Sequence, residues 1–178
     1  MTTHAGEFVE GGPSPRRSPW VQAFGLVVSL LISYAAAWLG SVATMPSIPT
    51  WYAALNKPFF NPPNAVFPIA WGILYTLMAV AVWLVWREEK APIEAYRRTA
   101  FVAYAVQLAL NVAWSFVFFG AHNPPIGLLV AVALFLAIIC AAYAFRRVSG
   151  LAALLMLPYI AWVAFATALN ASIWILNP

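Results

Sequence analysis

Long apolar runs separated by short polar segments make up most of the chain. Because a helix needs about 20 apolar residues to cross the hydrocarbon core of a bilayer, each run is long enough to span a membrane. The runs cover residues 20–42, 66–86, 96–119, 125–145 and 151–176. The pattern predicts an all-α integral membrane protein, a bundle of five transmembrane helices over residues 20–178. The polar stretch 1–19, rich in Gly, Pro and Ser, is predicted to be a disordered tail.

Composition and charge agree with this class and set an orientation. The chain is 64% hydrophobic and only 8% charged, whereas soluble domains contain roughly a quarter charged residues. Its net charge of +4 does not indicate a nucleic-acid partner, because the basic residues stand at the ends of the apolar runs. With strictly alternating spans, every Lys and Arg except Lys57 falls on one side. The positive-inside rule then predicts a cytoplasmic N-terminus and a C-terminus on the far side.

The interiors of the five runs contain no Asp, Glu, Lys, Arg or His. Ion-coupled transporters usually keep an ionisable residue at membrane depth, so a coupled pump is not expected. The sequence also offers no acid/base pair, phosphate-binding loop or metal-ligand cluster, and we expect neither a metal site nor a required cofactor. His122, in the turn "GAHNPP", is interpreted as a solvated turn residue, and Cys140 as a packing residue.

Aromatic and amide side chains recur at steps of three and four within the spans, which places them on common helix faces. Helix packing through amides and rings accounts equally well for any single residue. The predicted orientation, however, brings most of these residues into the outer half of the bilayer, as expected for a pocket that takes a large, flat, mostly apolar ligand. The predicted pocket residues, with Ala166 included as part of the same face of the fifth span, are Tyr34, Trp38, Phe67, Trp71, Tyr75, Gln107, Asn111, Trp114, Phe118, Trp162, Ala166 and Asn170. Four other tryptophans, at positions 20, 83, 86 and 174, read as interfacial anchors.

The longest connection, residues 43–65, contains most of the aromatic stretch "WYAALNKPFFNPPNAVF". Its prolines are predicted to stiffen the connection and to prevent it from forming a helix. We interpret it as a semi-rigid lid above the aromatic faces of the bundle.

Four stretches, in this order and spacing, resemble the tryptophan-rich sensory protein and translocator protein family (TspO/MBR). They are "WYAALNKPFFNPPNAVF", "PIAWGILYTLMAVA", "QLALNVAWSFVFF" and "PYIAWVAFATALNASIWILN". The resemblance implies five helices, a homodimer, and binding of the tetrapyrroles protoporphyrin IX and haem. It also implies that Trp51 and Trp162 enclose the ligand, with Lys57 at the pocket mouth. The cholesterol segment of animal members is missing, because "ATALNASIWILNP" has neither Tyr nor a basic residue.

Three functions follow from this resemblance. The first is a membrane sensor, receptor or carrier for tetrapyrroles and similar hydrophobic small molecules. The second is a light-dependent porphyrin-degrading enzyme in which Trp51 and Trp162 are the candidate catalytic residues and the porphyrin supplies the photochemistry. The third is a sterol- or lipid-type transporter or scaffold, which would need an opening between spans toward the lipid. In each case the partners are a hydrophobic small molecule, the lipid bilayer and a second copy of the chain.

Overall fold

The computed structural model describes residues 17–89 and 94–178, and these contain helices α1 to α6. Most of the predicted tail, 1–16, lies outside the described residues. The helices are α1 (Pro19–Thr44), α2 (Val66–Arg87), α3 (Glu94–Ser115), α4 (Pro124–Arg146), α5 (Gly150–Leu155) and α6 (Leu157–Leu176). Helices α5 and α6 together form the fifth span. Five stretches are long and apolar enough to cross a membrane, which confirms the predicted all-α fold.

Local sequence explains where the spans begin and where the last one breaks. Ser18 and Asn123 precede prolines, and their side-chain oxygens accept hydrogen bonds from the backbone N–H groups of Val21 and Ile126 at the starts of α1 and α4. Such caps satisfy amides that have no intrahelical partner. Pro158 has no N–H to donate to the preceding turn, and the fifth span accordingly breaks at Met156.

The connection after α1 is shorter than predicted. The helical path continues past Thr44 as a 3-10 turn, Met45–Ser47, and a π-helical turn, Ile48–Tyr52. The prediction that prolines keep residues 43–65 non-helical is therefore wrong for the first half of this stretch. Both short elements have a proline at their first or second position, where its missing N–H removes no hydrogen bond. Ala53 and Ala54 are still helical, and the non-helical lid begins after Ala54.

Helix packing leaves space at one end of the bundle. Helix α1 packs against α2 and α3, α4 packs against α3 and α6, and α2 packs against the short helix α5. Contact between α2 and α6 is sparse by comparison, so the second and fifth spans separate beyond Met156. The solid core lies at the opposite end, where residues such as Val85, Ala100 and Phe145 are fully buried. A cavity opens between the separated spans, below the lid.

Candidate ligand-binding site

The cavity has a volume of about 400 Å³ and is not fully enclosed. This volume lies within the range of about 300–1,000 Å³ that is usual for small-molecule sites. None of the lining residues carries a charged side chain at neutral pH. The walls are formed by Tyr34, Ala37, Gly40, Ser41, Thr44, Met45, Ile48, Tyr52, Asn64, Phe67, Pro68, Trp71, Gly72, Tyr75, Asn111, Trp114, Ser115, Phe118, Phe119, Trp162, Ala166, Leu169, Asn170 and Ile173.

A buried hydrogen-bond chain forms the floor of the cavity. The Tyr75 hydroxyl donates to Asn111 Oδ1 at 2.6 Å, and Asn111 Nδ2 donates to the Tyr159 hydroxyl at 2.9 Å. Trp71 lies above this chain, with its ring 5.6 Å from that of Tyr75 and 6.2 Å from that of Tyr159. The amide of α3 thus fixes side chains of α2 and α6 where these two helices hardly touch each other.

A second amide fixes the wall between α3, α4 and α6. Trp114 Nε1 donates to Asn170 Oδ1 at 3.1 Å, and Asn170 Nδ2 donates to the carbonyl of Pro124 at 2.8 Å. The Trp114 ring stacks on Phe118 at 5.3 Å with an interplanar angle of 16°. Gly127 of α4 permits this arrangement, since a Cβ there would lie 3.1 Å from Asn170 Oδ1 and 3.2 Å from Phe118.

The amides Asn111 and Asn170 were predicted as pocket residues, and the structure shows what their polar atoms bind. Asn111 and Asn170 do line the cavity. Each, however, accepts one hydrogen bond and donates one within the protein. Their role in this structure is to hold the aromatic walls, and the cavity offers a ligand chiefly apolar surface.

Trp162, unlike the two asparagines of the cavity wall, has a polar atom without a partner among the residues that the structure describes. Its ring lies 6.0 Å from Phe67 and 5.6 Å from Phe165. Its Nε1 is buried and has no hydrogen-bond partner in the described part of the chain. A buried donor without a partner costs about 1–3 kcal/mol, and this cost distinguishes Trp162 from the two asparagines of the wall.

Three residues predicted for the pocket lie elsewhere. Trp38 is 65% exposed on the outer face of α1, because the small residues of that helix, such as Gly25 and Ser33, face its neighbours. Gln107 is completely buried below the cavity floor, and neither polar atom of its amide finds a partner within the described residues. Lys57 does not reach the cavity mouth, because its ammonium group donates to the carbonyls of Ala53 and Leu55.

Trp51 also lies outside the cavity wall, which corrects its predicted position. Its ring packs edge-on against Phe118 at 5.4 Å and Phe119 at 6.4 Å, and these two phenylalanines face the cavity in its place. The other face of the indole stacks on His122 at 4.5 Å. Because the chain stays helical through Tyr52, Trp51 points to the α3–α4 turn and not across the bundle.

His122 was interpreted from sequence as a solvated turn residue, and its side chain is indeed exposed. It nevertheless has a structural role that sequence reasoning missed. Its imidazole contacts Trp51, and its Nε2 lies 3.2 Å from the hydroxyl of Ser47. Its φ of 51° falls in the left-handed region, which is uncommon for residues other than glycine. Cys140, expected to pack inside, is exposed on the outer face of α4.

Side-chain hydrogen bonds hold the lid at two places. The Tyr52 hydroxyl donates to Asn61 Oδ1 at 2.8 Å. Asn56 and Asn177 exchange two hydrogen bonds, from Asn56 N to Asn177 Oδ1 at 2.9 Å and from Asn177 Nδ2 to the Asn56 carbonyl at 3.0 Å. This pair, called the Asn56–Asn177 clamp below, ties the lid to the end of α6.

Comparison with known proteins gives the family. The model of the TspO/MBR family matches residues 28–175. The chain belongs to this family. It is 40% identical over 153 residues to the tryptophan-rich protein TspO of Archaeoglobus fulgidus, a match that covers 85% of this chain and 96% of the relative. The human translocator protein is 36% identical over 88% of this chain and 90% of its own length. The tryptophan-rich sensory protein of Cereibacter sphaeroides is 37% identical, over 84% and 92%.

Membership of the TspO/MBR family and the five apolar spans together establish a multi-pass integral membrane protein. The charge distribution still predicts a cytoplasmic N-terminus. In that orientation the cavity and the lid lie on the far side of the membrane, because Arg17, Arg87 and Arg146 all lie at the opposite end of the bundle from Lys57.

Proposed function

We propose that this TspO/MBR protein is a membrane sensor or carrier that binds tetrapyrroles, with protoporphyrin IX as the representative ligand. The observation that carries the proposal is the uncharged cavity of about 400 Å³ surrounded by aromatic rings. Trp71, Trp114 and Trp162 come from three different spans and offer ring surface to a large planar molecule. Burying a carboxylate in such walls is unfavourable, so the propionates of a porphyrin would remain toward the lid and water.

Replacing Trp162 by Phe tests this assignment with little risk to the fold. The substitution keeps an aromatic ring and removes an N–H group that has no partner in the described structure. We expect binding of protoporphyrin IX to the protein in lipid nanodiscs to weaken about tenfold, which corresponds to about 1.4 kcal/mol. Titration followed by the porphyrin absorbance band measures this affinity.

The matched control is Trp174→Phe, because Trp174 is 44% exposed at the end of α6 and does not line the cavity. This variant should bind protoporphyrin IX like the wild type. Equal affinities for all three proteins would rule out the cavity as the porphyrin site.

Light-dependent breakdown of the porphyrin is a second candidate function. It is favoured by the oxidisable rings of Trp71, Tyr75, Trp114 and Trp162 around the cavity, because an excited porphyrin in contact with them has electron donors within reach. Under illumination at saturating protoporphyrin IX, we expect the wild type to lose porphyrin absorbance several-fold faster than Trp162→Phe. Equal rates, matching those of free porphyrin in nanodiscs, would leave only ordinary photobleaching.

A homodimer is also proposed, on the family resemblance. Helices α1 and α4 expose apolar side chains such as Leu31, Leu129 and Leu136. In a membrane these side chains can pack against lipid or against a second copy of the chain.

A further inference from the structure

A groove lies on the outer surface of the bundle between α1 and α2, beside the ligand cavity. It is a shallow, open depression bordered by Tyr34, Pro68, Ile69, Gly72, Ile73, Thr76 and Leu77. Tyr34, Pro68 and Gly72 also belong to the cavity wall. Cavity and groove are therefore the two sides of one thin boundary, in which Gly72 contributes no side chain.

The groove carries two hydroxyl groups on the outer surface of the bundle. The Tyr34 hydroxyl lies 2.8 Å from Thr76 Oγ1 and 3.1 Å from the carbonyl of Gly72, to which Thr76 Oγ1 also donates at 2.9 Å. Tyr34 is 43% exposed. Each hydroxyl has two acceptor lone pairs and one donor, so this pair retains capacity to accept a hydrogen bond from outside. Polar groups that face the membrane interior are uncommon and usually functional.

The two possible access routes to the cavity differ in the hydrogen bonds that must break to open them. Opening the lid would break the Asn56–Asn177 clamp and the bond from Asn56 Nδ2 to the carbonyl of Leu176. At the boundary with the groove, by contrast, no atom lies within 4 Å of the position that a Cβ of Gly72 would occupy. Movement of Tyr34 at this boundary breaks its own hydrogen bonds to Thr76 and to the Gly72 carbonyl and leaves the lid fastened.

We propose that the α1–α2 groove is a lateral portal through which a membrane-dissolved amphipathic molecule passes between the bilayer and the cavity. The molecule carries a hydrogen-bond donor that the Tyr34 and Thr76 hydroxyls accept during passage, while its apolar part remains in lipid or in the aromatic cavity. The portal rests on the proposed function, because it supplies the ligand of that same cavity.

Gly72→Leu tests the portal by filling the space between groove and cavity. Because a Cβ at this position meets nothing within 4 Å, the variant should fold. With protoporphyrin IX dissolved in the lipid of proteoliposomes, we expect association and dissociation rate constants both to fall about tenfold, since a barrier in the portal slows passage in both directions. Stopped-flow absorbance of the porphyrin measures association, and transfer to acceptor vesicles measures dissociation.

Two further variants keep the result interpretable. Ile73→Trp obstructs the groove alone, because Ile73 is 57% exposed and does not line the cavity, and it should slow both rates as well. Gly150→Leu is the matched control, since Gly150 also has nothing within 4 Å of its Cβ position and lies at the other end of the bundle. It should behave like the wild type.

Asn177→Ala separates the portal from the lid route. It breaks the Asn56–Asn177 clamp, and access through the portal predicts unchanged rates. Faster exchange in Asn177→Ala, or an association rate in Gly72→Leu and Ile73→Trp equal to that of the wild type, would overturn the portal while leaving the cavity intact. A wild type that does not bind protoporphyrin IX at equilibrium would overturn the proposed function, and the portal with it.

Discussion

Replacing Asn111 by Leu is expected to lower the free energy of unfolding by about 2–4 kcal/mol, because it leaves two buried hydroxyl groups without partners. Asn111 is 2% exposed and accepts from Tyr75 while it donates to Tyr159. A leucine of similar size fills the space but bonds to neither hydroxyl. Titration of the protein with SDS in mixed micelles, followed by helical circular dichroism, measures the loss.

The cause of this loss can be checked by removing the stranded hydroxyls. Adding Tyr75→Phe and Tyr159→Phe to Asn111→Leu makes the floor of the cavity wholly apolar. Deleting all partners of a buried hydrogen bond can be nearly neutral, so the triple variant should recover most of the lost stability. If the triple variant were less stable than Asn111→Leu alone, packing and not hydrogen bonding would explain the effect.

Replacing Gly127 by Leu is expected to be comparably damaging for a steric reason. A Cβ at this position lies 3.1 Å from Asn170 Oδ1 and 3.2 and 3.3 Å from two atoms of Phe118. Phe118 is 2% exposed and can move only toward the cavity, and Asn170 would lose its bond to Trp114. We expect the free energy of unfolding to fall by about 3 kcal/mol, within the usual cost of overpacking, and protoporphyrin IX to bind more than about tenfold less tightly.

Gly72→Leu is the comparison that isolates this steric effect. It makes the same substitution on the cavity wall at a position without close neighbours, and its unfolding free energy should stay within about 1 kcal/mol of the wild-type value. The same SDS titration applies to both variants. Equal losses of stability in the two would show that the contact of Gly127 with Phe118 does not limit packing.

The spans were predictable from sequence because each depends on a local property. Hydropathy alone placed their ends within one or two residues of the helices observed, once the π-helical turn Phe116–Gly120 that continues α3 is included. The exceptions are residues 45–54 and the break at Met156. The break itself has a sequence signal in Pro158, but apolar composition on both sides of it conceals the interruption.

The cavity-lining residues were predictable in helices whose aromatic face is also held toward the interior by other contacts. Phe67, Trp71 and Tyr75 in α2, Asn111 and Trp114 in α3, and Phe118 in the π-helical turn after α3 all line the cavity as their spacing predicted. For Trp38 the same spacing rule failed, because lipid accepts an exposed indole as readily as the protein interior does. Periodicity gives a face, whereas the rotation of a membrane helix depends on its neighbours.

The remaining differences between prediction and structure concern the depth of a residue in the bundle and wall residues with small side chains. Gln107 shares its helix face with Asn111 but lies one turn further from the lid, beneath the floor formed by Tyr75. Wall residues such as Gly40, Ser115 and Gly72 carry no aromatic or amide signal, and they line the cavity only because their small size leaves it open. The sequence could not show this, because the space left by a small side chain is visible only when the surrounding atoms are in place.

The Asn56–Asn177 clamp joins residues 121 positions apart, which has a consequence for biosynthesis. A chain is made from its N-terminus, so Asn56 leaves the ribosome long before its partner is translated. The lid cannot be fastened until the fifth span has been inserted, and contacts between such distant residues form late. During synthesis the unfinished cavity therefore stays open to the membrane and to water until the clamp closes.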